Sequence, residues 1–269
     1  MNPLRLPLTA RFLLLAYALS WWPWLGRLGN PEAAVLLPVG PSVAALLVLA
    51  GQRHRARRRA LLRSLWPPRD RRWWTALLLP PLVAATAVLL AVVSGAGSVS
   101  PDGPAVALLT LALLPLTAVV AGPLGEELGW RGFLLPELLR RHSVAVSTAI
   151  VTAAWLVFHL PLLVTEPARY GLPWAIMLAS ASVVMTGLHL GSGGSTLLAV
   201  AFHAVTNSAT AAAVQLVRPA DRPLVWWLVA GSWAALAVAS AVAARRTTSS
   251  PRLSPVRDRA ESVHEGAHR

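Results

Sequence analysis

The chain has 269 residues, over half of them apolar and only 13% charged, with 24 basic residues against 11 acidic ones and no cysteine. The missing cysteine excludes disulfides, thiolate metal sites and cysteine nucleophiles. The basic excess is entirely arginine, gathered in blocks, which reads as membrane orientation and anionic-lipid contact rather than as a nucleic-acid surface.

Eight mostly uncharged stretches are long enough to cross a hydrocarbon core of about 30 Å. They lie at about 9–26, 33–50, 73–95, 104–124, 143–164, 173–190, 195–217 and 223–244. The expected fold is therefore all-α, a polytopic transmembrane helical bundle with little room for a soluble domain. The first stretch resembles a signal peptide in length, but Trp21, Trp22 and Trp24 stand where small residues precede a cleavage site, so it reads as a retained helix. The second is interrupted by Pro38 and Pro41.

Orientation follows from the arginines. The connection from Arg53 to Arg72 is densely basic, whereas the one from Gly95 to Gly103 has no arginine. Both termini on the cytoplasmic side put that block, Arg140 with Arg141, and the tail from Arg245 onward on one face of the inner membrane. The organisation expected is 1–102 for N-terminal spans with the basic cytoplasmic loop, 103–217 for a catalytic core, 218–246 for a last span, and 247–269 for a disordered basic tail.

The fourth stretch runs into Leu124-Gly125-Glu126-Glu127-Leu128-Gly129-Trp130-Arg131. A carboxylate at membrane depth costs about 2.5 to 3.5 kcal/mol even on forgiving insertion scales, so such acids mark ion paths, proton relays or catalysis. Helical geometry sets Glu127 and Arg131 on one face as an i,i+4 pair and turns Glu126 about 100° away. The fifth stretch carries Trp155-x-x-x-His159 and the seventh His203-x-x-x-Asn207, each pair on one helical face.

Taken in order, these three motifs resemble those of the CPBP intramembrane proteases, a family that includes type II CAAX prenyl endopeptidases and bacterial Abi or bacteriocin-immunity proteins. The lead-in Gly187-Leu188-His189-Leu190-Gly191, followed by Gly194-Ser195, adds to the likeness, which runs from about Leu108 to Ala212. Trp155 stands where the family commonly has Phe, and Leu160-Pro161-Leu162 follows His159 without a further histidine. That second departure favours a bacterial branch over a prenyl-protein substrate.

The resemblance implies an endopeptidase acting on a protein or peptide near the cytoplasmic membrane face. Glu126 would be the general base and His159 its partner in holding water. His203 and Asn207 would bind the oxyanion, and Glu127 with Arg131 would fix Glu126 in position. A metal-dependent version, with Glu126, His159 and His203 ligating one zinc ion, stays open beside it. No His-Glu-x-x-His helix and no aspartate within a span are present, which excludes site-2 zinc and aspartyl intramembrane chemistry. The alternative class is a non-catalytic immunity, chaperone-like or transport protein using the same polar cluster. Membrane lipids are expected partners in either case.

Overall fold

The computed structural model describes residues 6–26, 36–50, 54–69, 71–166 and 171–249, with the side chains of 114–121 and 244–249 also outside the description. The described residues form helices joined by short turns, with one isolated antiparallel bridge between Val99 and Val217. Among the described residues four helices are long and apolar enough to cross a membrane: Arg72–Val93, Leu172–Gly191, Thr196–Leu216 and Pro219–Ala243. Gly103–Leu113 and Val144–Phe158 are shorter apolar helices.

In chain order the helices are α1 (Leu8–Gly26), α2 (Gly40–Val48), α3 (Arg55–Arg63), α4 (Arg72–Val93), α5 (Gly103–Ala121) and α6 (Pro123–Gly129). A π-helical turn, Trp130–Leu134, leads into α7 (Leu135–Leu139). Then come α8 (Val144–Phe158), α9 (Leu160–Thr165), α10 (Leu172–Gly191), α11 (Thr196–Leu216) and α12 (Arg222–Ser249).

The second expected span, 33–50, is corrected: its helix is the nine-residue α2, and 33–35 lie outside the described residues. At 1.5 Å per residue α2 rises about 14 Å, half a hydrocarbon core. The cause is Pro38 and Pro41, the latter in the first turn of α2, which delay the start of a continuous helix. The fifth span is divided too, because Pro161 has no N–H to give and α8 ends at Phe158 with His159 as its cap. The last helix continues to Ser249, three residues into the stretch expected to be a disordered tail; 250–269 lie outside the described residues.

α11 occupies the centre, packed against α4, α5 and α6, while α10 packs on α8 and α12, and α1 on α2. Its apolar window is 67% buried against 22% for the last helix, so polar side chains on α11 must find partners inside the bundle. Ser195 starts α11 by accepting from Leu198 N–H at 3.2 Å, and Ser143 starts α8 the same way through Val146.

The two ends of the bundle are distinct. At one, α3 lays its buried Leu61 beside Gly132, Arg57 pairs with Glu137 at 3.2 Å, and the carbonyl of Ser64 accepts from Thr196 N–H at 2.8 Å. At the other, Ser100 N–H donates to Leu216 O at 2.9 Å and Arg218 N–H to Ser98 O at 3.1 Å. The connections at 95–103 and 218–222 thus share one end and the arginine-rich α3 the opposite one, the grouping expected from the arginine blocks.

Candidate functional site

The backbone brings Glu126 and Glu127 into the interior by a break. Gly122 leaves helical geometry (φ −146°, ψ −75°), and α6 begins at Pro123 as a new helix. The acids are therefore not the tail of the fourth span, as the sequence suggested, but lie on a second helix that continues through the π-turn to Leu139. Both are buried, as is Arg131, and Glu127 and Arg131 are fully so.

Close backbone approach makes that placement possible. A Cβ on Gly129 would stand 2.5 Å from Pro41 Cβ, and one on Gly125 would stand 2.7 Å from Pro38 O. Gly125-x-x-x-Gly129 is thus a small-residue contact that lets α6 touch α2 on the face away from the acids. Ser42 Oγ adds a bond to Leu124 O at 2.8 Å. The signal lay in the glycine spacing around the two glutamates.

The acids then diverge. Glu127 receives Arg131 Nη1 on both carboxylate oxygens at 2.9 Å, and its Oε1 also accepts from His203 Nδ1 at 2.9 Å. Arg131 Nη2 donates to Ser182 Oγ at 2.9 Å, and Thr152 Oγ1 to the same oxygen at 2.8 Å. Glu126 accepts instead from the indole Nε1–H of Trp155 at 2.5 Å. The guanidinium of Arg131 lies 4.5 Å from the centroid of that same indole ring, a cation–π contact. Glu126 is therefore held by Trp155, and the Glu127–Arg131 pair orients His203, whereas the sequence assigned that pair to Glu126. The sequence does not single out Trp155 as a donor, nor Ser182 and Thr152, because an aromatic at that position signals no hydrogen bond and hydroxyls in apolar spans carry no distinctive spacing.

His159 and His203 are fixed from behind in the same manner. His159 Nδ1 lies 2.9 Å from Trp155 O; a carbonyl only accepts, so Nδ1 carries the proton and Nε2 keeps its lone pair. Nε2 stands 3.9 Å from Glu126 Oε2, too far for a direct bond yet well within the span of one bridging water. His203 gives its Nδ1–H to the Glu127 carboxylate, which leaves Nε2 to the cavity that the residue lines. The His159 ring is enclosed by Phe158 and Trp174, at 4.9 and 5.1 Å between centroids. The end of α8 is steadied by α1, where Trp21 Nε1 donates to Phe158 O at 2.9 Å and Tyr17 OH to Ala154 O at 3.0 Å.

Glu126, His159, His203 and Asn207 line one cavity of about 1110 Å³, with Trp155 in its wall. Glu127 and Arg131 stand behind it and do not line it. From His203 the cavity follows α11 toward Gln215, Pro219 and Arg222, away from the Thr196 end that α3 covers. The resemblance implies action near the cytoplasmic, arginine-rich face, whereas the cavity runs the other way, because Leu61 of α3 and Ser64 just after it pack over the π-turn and that end of α11.

Among the described residues no three His, Asp or Glu side chains come together as a group able to hold a metal ion, so Glu126, His159 and His203 are not preassembled as a zinc set here. Only the Nδ1 atoms of the two histidines are engaged, by Trp155 O and Glu127. His189 is buried away from the cavity, with Nδ1 at 3.2 Å from Ser195 O.

Comparison with known proteins agrees with the motifs. Residues 107–209 match the family model described as type II CAAX prenyl endopeptidase Rce1-like. Over 92 residues the chain is 27% identical to CAAX prenyl protease 2 of Methanococcus maripaludis, a stretch covering 30% of this chain and 34% of that relative. The chain thus spans about a third of the length of the curated relative it matches. Both findings support a CPBP family assignment, and the family is a protease family.

Proposed function

We propose, from the premise that residues 107–209 carry a type II CAAX endopeptidase-like unit, that this chain is an intramembrane endopeptidase acting on a protein or peptide substrate. It sits in the cytoplasmic membrane with both termini inside, an orientation supported by the arginine-rich α3 end. The observation that carries the reading is the 3.9 Å gap between Glu126 Oε2 and His159 Nε2 at the cavity wall.

A water bridging that gap is polarised from two sides. Glu126 removes its proton as the oxygen attacks the scissile carbonyl carbon, and the carbonyl π electrons move onto oxygen. His203, protonated at Nε2 and backed at Nδ1 by Glu127, donates to that oxyanion together with the amide of Asn207. Glu126 then returns the proton to the amide nitrogen, the C–N bond breaks, and a carboxylic acid and an amine leave, the acid then giving its proton to bulk water. Arg131, Ser182 and Thr152 hold Glu127, so His203 is oriented before substrate arrives. No step requires a metal.

The test is peptide cleavage by purified protein in detergent, read by mass spectrometry. Wild type should cleave and should keep cleaving after strict chelation, whereas Glu126→Gln should be inactive with an unchanged melting temperature. A Glu126→Gln protein that retains full activity overturns the assignment in favour of a binding role for the cluster, and loss of activity on chelation that zinc restores overturns the metal-free chemistry.

A further inference from the structure

The cavity continues well beyond the reacting groups. It passes Thr206, Thr210 and Val214 on one face of α11 and ends where Gln215 meets Arg222, the first residue of α12. Arg222 Nη2 donates to Gln215 Oε1 at 3.2 Å, and its buried Nε has no hydrogen-bond partner. Among the described residues no carboxylate pairs with this guanidinium. Neighbouring Asp221 accepts instead from Ser98 N–H at 2.9 Å and does not line the cavity.

Arg131 provides the contrast within the same bundle, since both oxygens of Glu127 meet it. Arg222 is half-buried and Gln215 exposed, so the guanidinium stays reachable from solvent, and among the described residues its side-chain acceptor is a neutral amide rather than a carboxylate. Its position at the start of α12 adds the positive end of the helix dipole. Positive potential is therefore concentrated at one end of a cavity whose other end holds Glu126.

We infer that Arg222, assisted by Gln215, is an anion subsite that receives a carboxylate of the substrate peptide, either an acidic side chain or the chain's own C-terminus. The inference rests on reading the cavity as a peptide site. Gln215 lies twelve positions beyond His203 on α11, about 18 Å at the α-helical rise. An extended peptide advances about 3.3 Å per residue, so the carboxylate lies about five or six residues from the scissile bond. Met177, Leu178 and Trp226 line the stretch between, so the intervening residues are apolar.

Binding tests this without relying on turnover. Full-length Glu126→Gln protein in detergent is titrated with three fluorescein-labelled apolar decapeptides: one with a free C-terminus, one amidated, and one amidated with an aspartate six residues from the centre of the intended cut. A carboxylate that meets Arg222 should strengthen binding about 10- to 100-fold over the plain amide, the range for hydrogen bonds to charged groups. The free C-terminus and the aspartate arms decide which source is used.

Adding Arg222→Gln should bring all three peptides to the amide's affinity. Gln215→Leu should weaken the preferred peptide several-fold while leaving the plain amide unchanged, so the question stays decidable if the Arg222 variant is unstable. Equal binding of all three peptides, no binding of any, or a preference that survives Arg222→Gln overturns the subsite. Wild-type cleavage of the amidated peptide is scored separately. Preference without cleavage sinks the peptidase reading and keeps the subsite, whereas cleavage without preference does the reverse.

Discussion

Trp155 donates its indole N–H to Glu126 Oε2 while its ring lies against the guanidinium of Arg131. One side chain of α8 thus touches the side chain of the candidate base and, through Arg131, the group that orients His203. The two adjacent glutamates are kept in separate networks, and Trp155 is the wall between them.

Trp155→Phe should keep the ring and lose the hydrogen bond. Bonds to charged acceptors are worth about 1.5 to 3 kcal/mol, so the melting temperature should fall as buried Glu126 loses its donor, and kcat should fall about 10- to 100-fold as the carboxylate loses its position. Unchanged kcat would mean that the N–H does not position Glu126.

Arg131→Ala leaves Glu127 buried without its cation, a loss of about 3 to 5 kcal/mol for a well-buried pair. Activity and thermal stability should fall together. Ser182→Ala removes the hydroxyl that accepts from both Arg131 and Thr152 and should cost about 1 to 3 kcal/mol, because a buried guanidinium N–H loses its acceptor. Thermal unfolding in detergent measures both, and an Arg131→Ala protein as stable as wild type would show that the pair does not hold the core together.

Gly129→Ala places a methyl against Pro41 Cβ and backbone, at distances that require α2 or α6 to move. Overpacking of this kind costs about 1 to 3 kcal/mol. The variant should melt lower and lose activity, since a shifted α6 carries both glutamates with it. Gly187→Ala, where nothing stands within 4 Å of the added carbon, is the control and should behave as wild type.

Topology is checked by reporter fusions after residues 60, 99, 167 and 250. The expected outcomes are inside, outside, outside and inside, from the arginine blocks. An outside signal at residue 60 would reverse the orientation and with it the side from which the cavity is reached.

By itself the sequence determined the helical membrane class and the polar residues worth attention. Long apolar stretches leave few solutions for the backbone, and Glu126, Glu127, Arg131, His159 and His203 stand out within them because burying such groups costs free energy that only a partner offsets. Periodicity also set Glu127 with Arg131 on one face and Glu126 on another.

Only the tertiary structure decided which partner each group takes. Helical spacing gives the direction a side chain leaves its own helix, not which neighbouring helix it meets. His203 was therefore matched with Asn207 along α11, while its bond to Glu127 crosses from α11 to α6. The indole donor of Trp155, the contact of Gly125 and Gly129 with the Pro38–Pro41 segment, and the direction of the cavity toward Arg222 likewise depend on packing between segments distant in the chain. The break at Gly122 decided the depth of the acids, because a helix restarted at Pro123 carries them into the bundle rather than ending the span before it.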